Sequence, residues 1–381
     1  MDPRQAVLET EVARGAAPFL VGMVGDAEGV VWAGAAGEAA PGRAAGPDTV
    51  LRVFSMTKAI AAAAAMILAD RGRLDLDAPV ASILPEFDRV QVLEGWDGET
   101  PRLRAPARPA TVRQLMTHTA GFAYTHWSAD MKRYRAASGL PAMASGRRAA
   151  LFYPLAHDPG DAWSYGIGPD WLGLVVEAVD GRKVDAFCAA EIFGPLRMTS
   201  TAFALEDALR ARLSGAWSRT PDGGFAELKV APPPAPEFWG MGDALYSTAA
   251  DYMRFLRLFL GGGAVDGGRV LSAEATAAML DNHVGTLRVA PMRTTVARIA
   301  ADVEIIPGTP KSHSLIGQRA EADVPGMRRA GSSGWAGVAN THWWVDPAAG
   351  LAGVLVTQTM PFFEPPLAAA YAAFERAVYA A

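Results

Sequence analysis

A serine and a lysine stand three residues apart in the segment Ser55-Met56-Thr57-Lys58, at the front of a long alanine-rich stretch. Residues i and i+3 of a helix share one face, with Cβ atoms about 5–6 Å apart, so the lysine amine can reach the serine hydroxyl. The positive end of a helix stabilises a developing oxyanion and disfavours a second positive charge. An uncharged lysine there can accept the serine proton and activate a nucleophile. The alternative is a structural pair, but a buried lysine without a role is uncommon.

Two later segments carry groups that would complete such a site. Tyr165 lies in the glycine-rich stretch "GDAWSYGIGPD", directly before a predicted helix, where a phenol can relay a proton to a leaving group. The segment "GSSGWAGVANTHWWVDP" predicts a strand whose glycines allow another group to approach its backbone closely. An N–H at the edge of that strand, opposite the serine, would complete an oxyanion hole.

Other catalytic arrangements have no match in the sequence. No serine occupies a G-x-S-x-G motif, because the nearest segment, Gly331 to Trp335, ends in tryptophan. The histidines show no H-E-x-x-H or H-x-H spacing, and no phosphate-binding G-x-x-x-x-G-K-[ST] motif is present. We therefore expect no metal and no cofactor. The histidines are interpreted as structural or surface residues: His118, His126, His157, His283, His313 and His342.

Composition indicates a globular protein with a large interior. The 381 residues are 50% hydrophobic and 20% charged, with a formal net charge of -5. Lysine is rare beside arginine and no basic stripe is present, which argues against a nucleic-acid partner. Cys188, the single cysteine, is interpreted as a small buried hydrophobic residue. Without a signal-like segment or a membrane-spanning stretch, we expect a cytoplasmic protein with no membrane partner; the oligomeric state is left open.

The predicted elements place strands at both ends of the chain and helices between them. "PFLVGMVG" and "GVVWAGAAG" predict a hairpin near the N-terminus, and "GWAGVANTHWWVDPAAGLAGVLVTQT" predicts strands near the C-terminus. Helices are predicted from about Gln5 to Gly15, through the alanine-rich stretch to Gly72, in "TVRQLM", "GPDWLGLVVEAVD", "STAADYMRFLRLFL" and "LSAEATAAML", and from Leu367 to Tyr379. Residues 74–110 are predicted as loop.

This order favours one sheet assembled from both ends of the chain, with a helical region inserted between them. The predicted division is a discontinuous α/β domain of residues 1–75 and 241–381, and a mostly helical domain of residues 76–240. The proline-rich run "VAPPPAPEFWG" marks the second boundary. A seam between two such regions is where binding pockets usually lie.

In the order of its motifs the chain resembles the superfamily of class C β-lactamases and penicillin-binding proteins, and within it the family VIII carboxylesterases. The motifs are S-x-x-K from Ser55 to Lys58, the tyrosine motif at Tyr165 and a late glycine-containing strand, and they extend over nearly the whole chain. The resemblance implies an α/β (α+β) fold, in which an antiparallel sheet flanked by helices carries an inserted, mostly helical region. It implies Ser55 as nucleophile, Lys58 and Tyr165 as the proton-handling pair, and the backbone N–H groups of Ser55 and Val338 as the oxyanion hole.

Two departures from the lactamase pattern bear on the substrate. The lactamase Y-x-N motif is here Tyr165-Gly166-Ile167, which has no amide side chain. The usual K-T-G is here Trp335-Ala336-Gly337, which puts an indole where a cation would meet a substrate carboxylate. Both changes make the site more apolar and argue against β-lactams and peptidoglycan peptides. A W-G-G-like third motif is what the esterase group shows.

We therefore expect a carboxylesterase (EC 3.1.1-type) that cleaves small carboxylic esters through an acyl-serine intermediate and favours short apolar substrates. The alternatives are acyl transfer to an alcohol, weak β-lactamase or D-aminopeptidase activity and, from another class, a non-catalytic ligand-binding relative. The intact serine, lysine and tyrosine argue against the last. The residues expected to bind substrate are Trp335, Ala336, Gly337, Ile167, Phe122 and Trp239; further aromatic candidates are Tyr124, Trp127, Phe362 and Phe363.

Overall fold

The chain folds around one large antiparallel sheet. The computed structural model describes residues 2–230 and 235–381. In these ranges the helices are α1 (Pro3–Ala13), α2 (Thr57–Asp70), α3 (Val80–Ile83), α4 (Val112–Met116), α5 (Ala129–Ser138), α6 (Gly168–Asp180), α7 (Val184–Cys188), α8 (Asp207–Arg210), α9 (Ala249–Leu260), α10 (Ala273–Ala278) and α11 (Pro365–Tyr379). Shorter helical turns cover Phe54–Met56, Pro85–Arg89, Met143–Ser145, Arg148–Phe152 and Ala189–Phe193.

The strands are β1 (Phe19–Gly25), β2 (Val30–Ala40), β3 (Arg43–Ala44), β4 (Leu51–Arg52), β5 (Val92–Asp97), β6 (Thr100–Arg104), β7 (Trp217–Arg219), β8 (Phe225–Glu227), β9 (Tyr246–Ser247), β10 (Ala264–Val265), β11 (Gly268–Arg269), β12 (Lys311–His313), β13 (Gln318–Ala320), β14 (Ser333–Gly337), β15 (Thr341–Asp346), β16 (Leu351–Val356) and β17 (Thr359–Met360). The main sheet has the order β12-β13-β14-β15-β16-β1-β2-β3. Strand β1 pairs antiparallel with β16, so strands from the two ends of the chain meet near the centre of the main sheet. The predicted fold class is confirmed.

The side-chain alternation of β1 divides the interior into two cores. Val21 and Met23 belong to a core that also contains α2, α6 and α9. Leu20 and Val24, on the opposite face, belong to a core formed with α1 and α11. Successive residues of a strand point to opposite faces, so a sheet covered by helices on both sides requires apolar residues at nearly every position of its central strands.

Helix α2 carries the serine–lysine segment into the first of these cores. Every residue from Thr57 to Leu68 is buried. The small alanine side chains let α2 lie close against α6, its main helical neighbour. Gly72, just beyond the helix, has φ +68°, the left-handed conformation that the predicted helix end required. Helix α4 begins at the predicted cap, with Thr111 and Gln114 forming a reciprocal capping box.

The prediction of a loop over residues 74–110 is wrong. This range contains α3 and the hairpin of β5 and β6. One side of the hairpin packs on Met131 of α5 through Leu93, Trp96 and Leu103. A register shift between Leu93 and Gly95 interrupts the alternation that would have indicated a strand. The middle region also holds the hairpin of β7 and β8, so strands are not confined to the two ends.

The segment "TVLRVF", directly before Ser55, also predicts a strand, and the strand found there is shorter than this pattern indicates. Only Leu51–Arg52 is a strand, and it pairs with β9 rather than with the main sheet. The domain boundaries at residues 75 and 240 stay a prediction, and residues 231–234 of the proline-rich run lie outside the described residues. No helix within residues 2–230 and 235–381 is long and apolar enough to cross a lipid bilayer.

Candidate active site

Ser55 lies in a helical turn, Phe54–Met56, that runs directly into α2. The residue before it, Phe54, has φ +46°, a conformation that costs a non-glycine residue about 1–3 kcal/mol. Hydrogen bonds from two threonines help to hold the strained turn: the Thr57 hydroxyl donates to the Phe54 carbonyl, at 2.6 Å, and the Thr341 hydroxyl donates to the Val53 carbonyl, at 3.1 Å. The turn held in this way places the serine at the head of the helix. No local sequence pattern indicates the positive φ of Phe54.

Lys58 is buried beside Ser55, as the spacing predicted. Its Nζ lies 3.0 Å from Ser55 Oγ and donates to the Gly242 carbonyl oxygen at 2.7 Å. The amine also lies 4.9 Å from the ring centroid of Tyr165 and 5.1 Å from that of Tyr124. The lysine side chain is therefore enclosed by aromatic rings and held by one carbonyl, with its amine in reach of the serine hydroxyl. This is the geometry that proton transfer from the serine requires.

Tyr165 lies in the loop before α6, with its ring beside the Lys58 amine. Its phenol oxygen accepts a hydrogen bond of 2.9 Å from the Trp335 indole N–H, and the two rings lie 4.8 Å apart. Because the indole already donates to the phenol oxygen, the phenol proton is directed elsewhere and can be passed to a substrate oxygen. Trp335 was expected only to contact substrate; its hydrogen bond gives it a second task, the orientation of Tyr165.

Gly337 lets β14 lie directly against the turn that carries Ser55. A Cβ on this residue would lie 2.3 Å from the Val53 carbonyl oxygen and 2.3 Å from the Thr341 hydroxyl. Close approach of the kind predicted for this strand is therefore possible only with glycine. Val338, the next residue, lines the same cavity as Ser55. The oxyanion hole formed by the N–H groups of Ser55 and Val338 remains a prediction.

We expect Gly337→Ala to impair activity and stability together. The added methyl forces β14 away from the serine turn, which should lower kcat/KM at least about 10-fold and the free energy of unfolding by about 1–3 kcal/mol. Ester hydrolysis and denaturant unfolding measure the two effects. Gly29→Ala is the matched control, since a Cβ at Gly29 meets nothing within 4 Å. Equal behaviour of the two variants would contradict the close-approach argument.

A cavity of about 330 Å³ opens beside these groups. That volume is in the range of sites for small molecules. Burial lowers the pKa of His126 in its wall to about 4, so this imidazole is uncharged at neutral pH. The lining is mainly apolar or aromatic and includes Phe54, Tyr124, Trp127, Ala142, Met143, Ala144, Met292, Ile299, Ile305, Trp335, Ala336, Val338, Met360 and Phe362.

The residues predicted to bind substrate fall into three groups. Trp335 and Ala336 line the cavity. Trp239 lines a smaller neighbouring cavity, which shares Met143, Ala144, Asp170 and Asp243 with the first. Ile167 and Phe122 are buried in the core, and neither they nor Gly337 line the cavity. Of the further aromatic candidates, Tyr124, Trp127 and Phe362 line it and Phe363 does not.

Asp170 is a site residue that sequence reasoning missed. It lies in the first turn of α6, is 5% exposed, and accepts a 2.7 Å hydrogen bond from the Gly242 N–H. Burial and the neighbouring charge of Asp243 raise the pKa of Asp170 to about 7, against the opposing effects of Lys58 and the Gly242 N–H. Asp243 itself is paired with Arg52 at 3.1 Å. An acidic residue in the first turn of a helix is ordinary, so its sequence position gave no signal.

The raised pKa of Asp170 predicts a pH-dependent stability. The unfolded carboxyl loses its proton near pH 3.8 and the folded one near pH 7, so the free energy of unfolding should fall as pH rises between these values. Asp170→Asn removes this titration and keeps an acceptor for the Gly242 N–H. Its stability relative to the unchanged protein should therefore increase from pH 4 to pH 7, by about 2–4 kcal/mol, and level off above. Denaturant unfolding over this range measures it; a constant difference would contradict the assignment.

These side chains together have the parts of an acyl-transfer site. A serine hydroxyl lies beside a buried lysine amine, a phenol is held by an indole N–H, and a strand edge packs against the serine turn. In the described part of the chain no three His, Cys, Asp or Glu side chains gather in a way that could hold a metal ion. Ser55 and Tyr165 line the same cavity, and the Lys58 amine lies 3.0 Å from the Ser55 hydroxyl; their catalytic roles remain a prediction.

A serine–lysine pair at the head of a buried helix, beside a helix-flanked antiparallel sheet, is the arrangement of the penicillin-binding-protein-like serine hydrolases. The chain belongs to the β-lactamase family, whose model matches residues 5–377. The predicted resemblance to this superfamily is confirmed, and the protein is an enzyme of this class.

Its relatives include both hydrolases and transferases. The chain is 32% identical to the lovastatin esterase of Penicillium rubens over 332 residues, which cover 82% of this chain and 80% of the relative. It is 29% identical to the monacolin J acid methylbutanoyltransferase of Aspergillus terreus over 348 residues, which cover 87% and 82% of the two chains. The solved structure of unliganded simvastatin synthase from Aspergillus terreus superposes with a TM-score of 0.87 at 26% identity, over 100% of this chain and 98% of that one.

Proposed function

We propose that the protein is a carboxylesterase of the family VIII type, which cleaves small apolar esters through an acyl intermediate on Ser55. The observation that supports this most is the distance of 3.0 Å between Lys58 Nζ and Ser55 Oγ, at the edge of an apolar cavity. A small-molecule ester is the proposed partner of this cavity.

The proposed reaction begins with attack of Ser55 Oγ on the ester carbonyl carbon, while the Lys58 amine accepts the serine proton. The N–H groups of Ser55 and Val338 would stabilise the resulting oxyanion. As the C–O bond to the alcohol breaks, a proton reaches the departing oxygen from the phenol of Tyr165, and Lys58 can replace it. Water then attacks the acyl-serine by the reverse sequence and releases the acid. Lys58 and Tyr165 are treated as one coupled proton-handling unit.

The lining of the cavity supports apolar substrates. Trp335 takes the place where a lysine would meet a substrate carboxylate, and its indole N–H is already engaged with Tyr165. Ile167 offers no amide side chain and is buried in the core. These two positions disfavour β-lactamase and D-aminopeptidase activity. The paired Ser55 and Lys58 disfavour a purely ligand-binding role, since a binding protein has no need of a buried amine beside a hydroxyl.

Acyl transfer to an alcohol is the second candidate. The same acyl-serine would be attacked by an alcohol instead of water, and exclusion of water decides between the two. A cavity of about 330 Å³ with an apolar wall can hold an alcohol of substantial size next to Ser55. The names of the relatives, an esterase and a methylbutanoyltransferase, show that chains similar to this one are associated with both outcomes.

The distinguishing experiment supplies p-nitrophenyl butyrate with and without an apolar alcohol such as cyclohexanol, with Ser55→Ala as the blank. We expect repeated turnover to p-nitrophenol and butyrate without added alcohol. Turnover only with the alcohol, with the new ester as product, would replace the esterase by the transferase. A cephalosporin in a parallel reaction should be hydrolysed far more slowly than the ester. No turnover of any substrate above the blank would contradict the proposed function.

A further inference from the structure

We propose that Asp170 is a positioning residue for catalysis, which acts through Gly242 to hold the amine of Lys58 against Ser55. This inference rests on the proposed function of the Ser55–Lys58 pair. Asp170 contacts the peptide chain rather than the reacting atoms, so its contribution is to the placement of the lysine.

The connection consists of two short hydrogen bonds on one residue. The Gly242 N–H donates to Asp170 Oδ1 at 2.7 Å, and the Gly242 carbonyl accepts from Lys58 Nζ at 2.7 Å. Gly242 is far from both partners in sequence, 72 residues from Asp170 and 184 from Lys58. Asp170 thus binds the segment that contains Gly242 to the first turn of α6. The same segment holds the side chain of Lys58, which projects from α2.

Gly242 lies in a narrow place that a larger residue would crowd. A Cβ would lie 3.0 Å from Asp170 Oδ1 and 3.0 Å from the Tyr124 hydroxyl oxygen. Asp170 therefore lies directly against the Gly242 backbone and holds it by the hydrogen bond from the Gly242 N–H. Removal of the carboxyl would leave the buried N–H without its acceptor and would open space into which the segment can shift.

The fixed carbonyl matters because a lysine side chain is otherwise mobile. Its stem has four rotatable bonds, and the amine can point its lone pair in many directions. One N–H held by the Gly242 carbonyl restricts these directions and keeps the nitrogen 3.0 Å from the Ser55 hydroxyl oxygen. A displacement of about 1 Å in such a contact is enough to lower a rate about 100-fold.

Charged and titratable groups surround Asp170 from several elements. Lys58 faces it from α2, Tyr124 from the loop after α4, and Asp243 from the segment of Gly242, where Asp243 is paired with Arg52 of β4. Both the protonated and the ionised carboxyl can accept the Gly242 N–H. The positioning role therefore does not depend on its charge, and an asparagine can take it over.

The test compares Asp170→Ala and Asp170→Asn by the rate of covalent labelling of Ser55 with a fluorophosphonate and by kcat and KM for a p-nitrophenyl ester. We expect D170A to lower the labelling rate and kcat about 10- to 100-fold with KM within about 3-fold, and D170N to restore both rates to within about 5-fold. Asp251→Ala is the matched control: Asp251 is also buried and accepts a backbone N–H, from Ser200, but that peptide holds no lysine.

The outcomes separate the positioning role from a structural one and from the proposed function. D170A at the unchanged rate, D170N as slow as D170A, or an equal loss in D251A would overturn the inference. If D170A does not fold, Asp170→Ser replaces it, with a hydroxyl too short to reach the Gly242 N–H and the same expected loss. If the labelling of Ser55 depends on Asp170 but the protein hydrolyses no ester, the result supports the positioning role and contradicts only the esterase proposal.

Discussion

Replacement of Ser55 by alanine should abolish ester hydrolysis, with kcat/KM falling about 10⁴-fold or more. The alanine cannot form the acyl intermediate, and what would remain is the catalysis that substrate binding and the proposed oxyanion donors supply to an attacking water. The change removes one oxygen from a partly exposed residue, so the fold should be unaffected. The measurement is the rate of p-nitrophenol release, together with labelling by a fluorophosphonate, which should disappear.

The control for this variant is Ser138→Ala, which removes an exposed hydroxyl at the end of α5. Its activity should equal that of the unchanged protein, and its labelling should be complete. Retention of more than a few per cent of activity in Ser55→Ala would move the nucleophile to another residue. The strained turn around Phe54 would then need a different explanation.

Lys58→Met should lower the rate of acylation about 10²- to 10⁴-fold. Methionine has similar length and fills the space of the lysine stem, so the variant removes the amine with little change in packing. The Ser55 hydroxyl loses its proton acceptor at 3.0 Å, and the Gly242 carbonyl loses its donor at 2.7 Å. Pre-steady-state release of p-nitrophenol measures acylation directly. Denaturant unfolding shows whether the Gly242 carbonyl, once it has lost its donor, destabilises the protein.

Lys132→Met serves as the matched control, since Lys132 is exposed and its Nζ donates to the Thr295 carbonyl, away from Ser55. It should acylate at the unchanged rate. If Lys58→Met also acylates within about 3-fold of the unchanged protein, the lysine is a structural residue and Tyr165 alone handles the proton.

The parts of the site that lie close together in sequence could be predicted from it. The Ser55–Lys58 contact follows from helical spacing over three residues. The glycine of β14 indicated a close approach to that strand, but only the fold shows that the approaching group is the distant serine turn. The bridge from Asp170 through Gly242 to Lys58 could not be predicted, because it joins residues of three distant segments. The positive φ of Phe54 is likewise imposed by tertiary contacts.

The same distinction, between features set by local pattern and features set by tertiary contacts, applies to the fold. The hairpin at the N-terminus, the C-terminal strands and the long amphipathic helices follow from regular periodicity and capping residues. Their order favoured one sheet built from both ends of the chain, and the structure adds that β1 pairs with β16. The hairpin of β5 and β6 was missed because its alternation is broken and its apolar side packs on a small cluster with α5 rather than on the main core. Short strands of this kind are fixed by packing more than by propensity.

The central claim, an acyl intermediate on Ser55, is tested most directly by the intact mass of the protein quenched during turnover of p-nitrophenyl butyrate, followed by peptide mapping. The proposed mechanism predicts the added mass of one butyryl group, located on the peptide that contains Ser55, absent from Ser55→Ala and lost when the substrate is exhausted. Two results would contradict it. One is a butyryl group on any other residue. The other is the absence of a butyryl group during measurable turnover, when the release of p-nitrophenol shows that deacylation is rate-limiting.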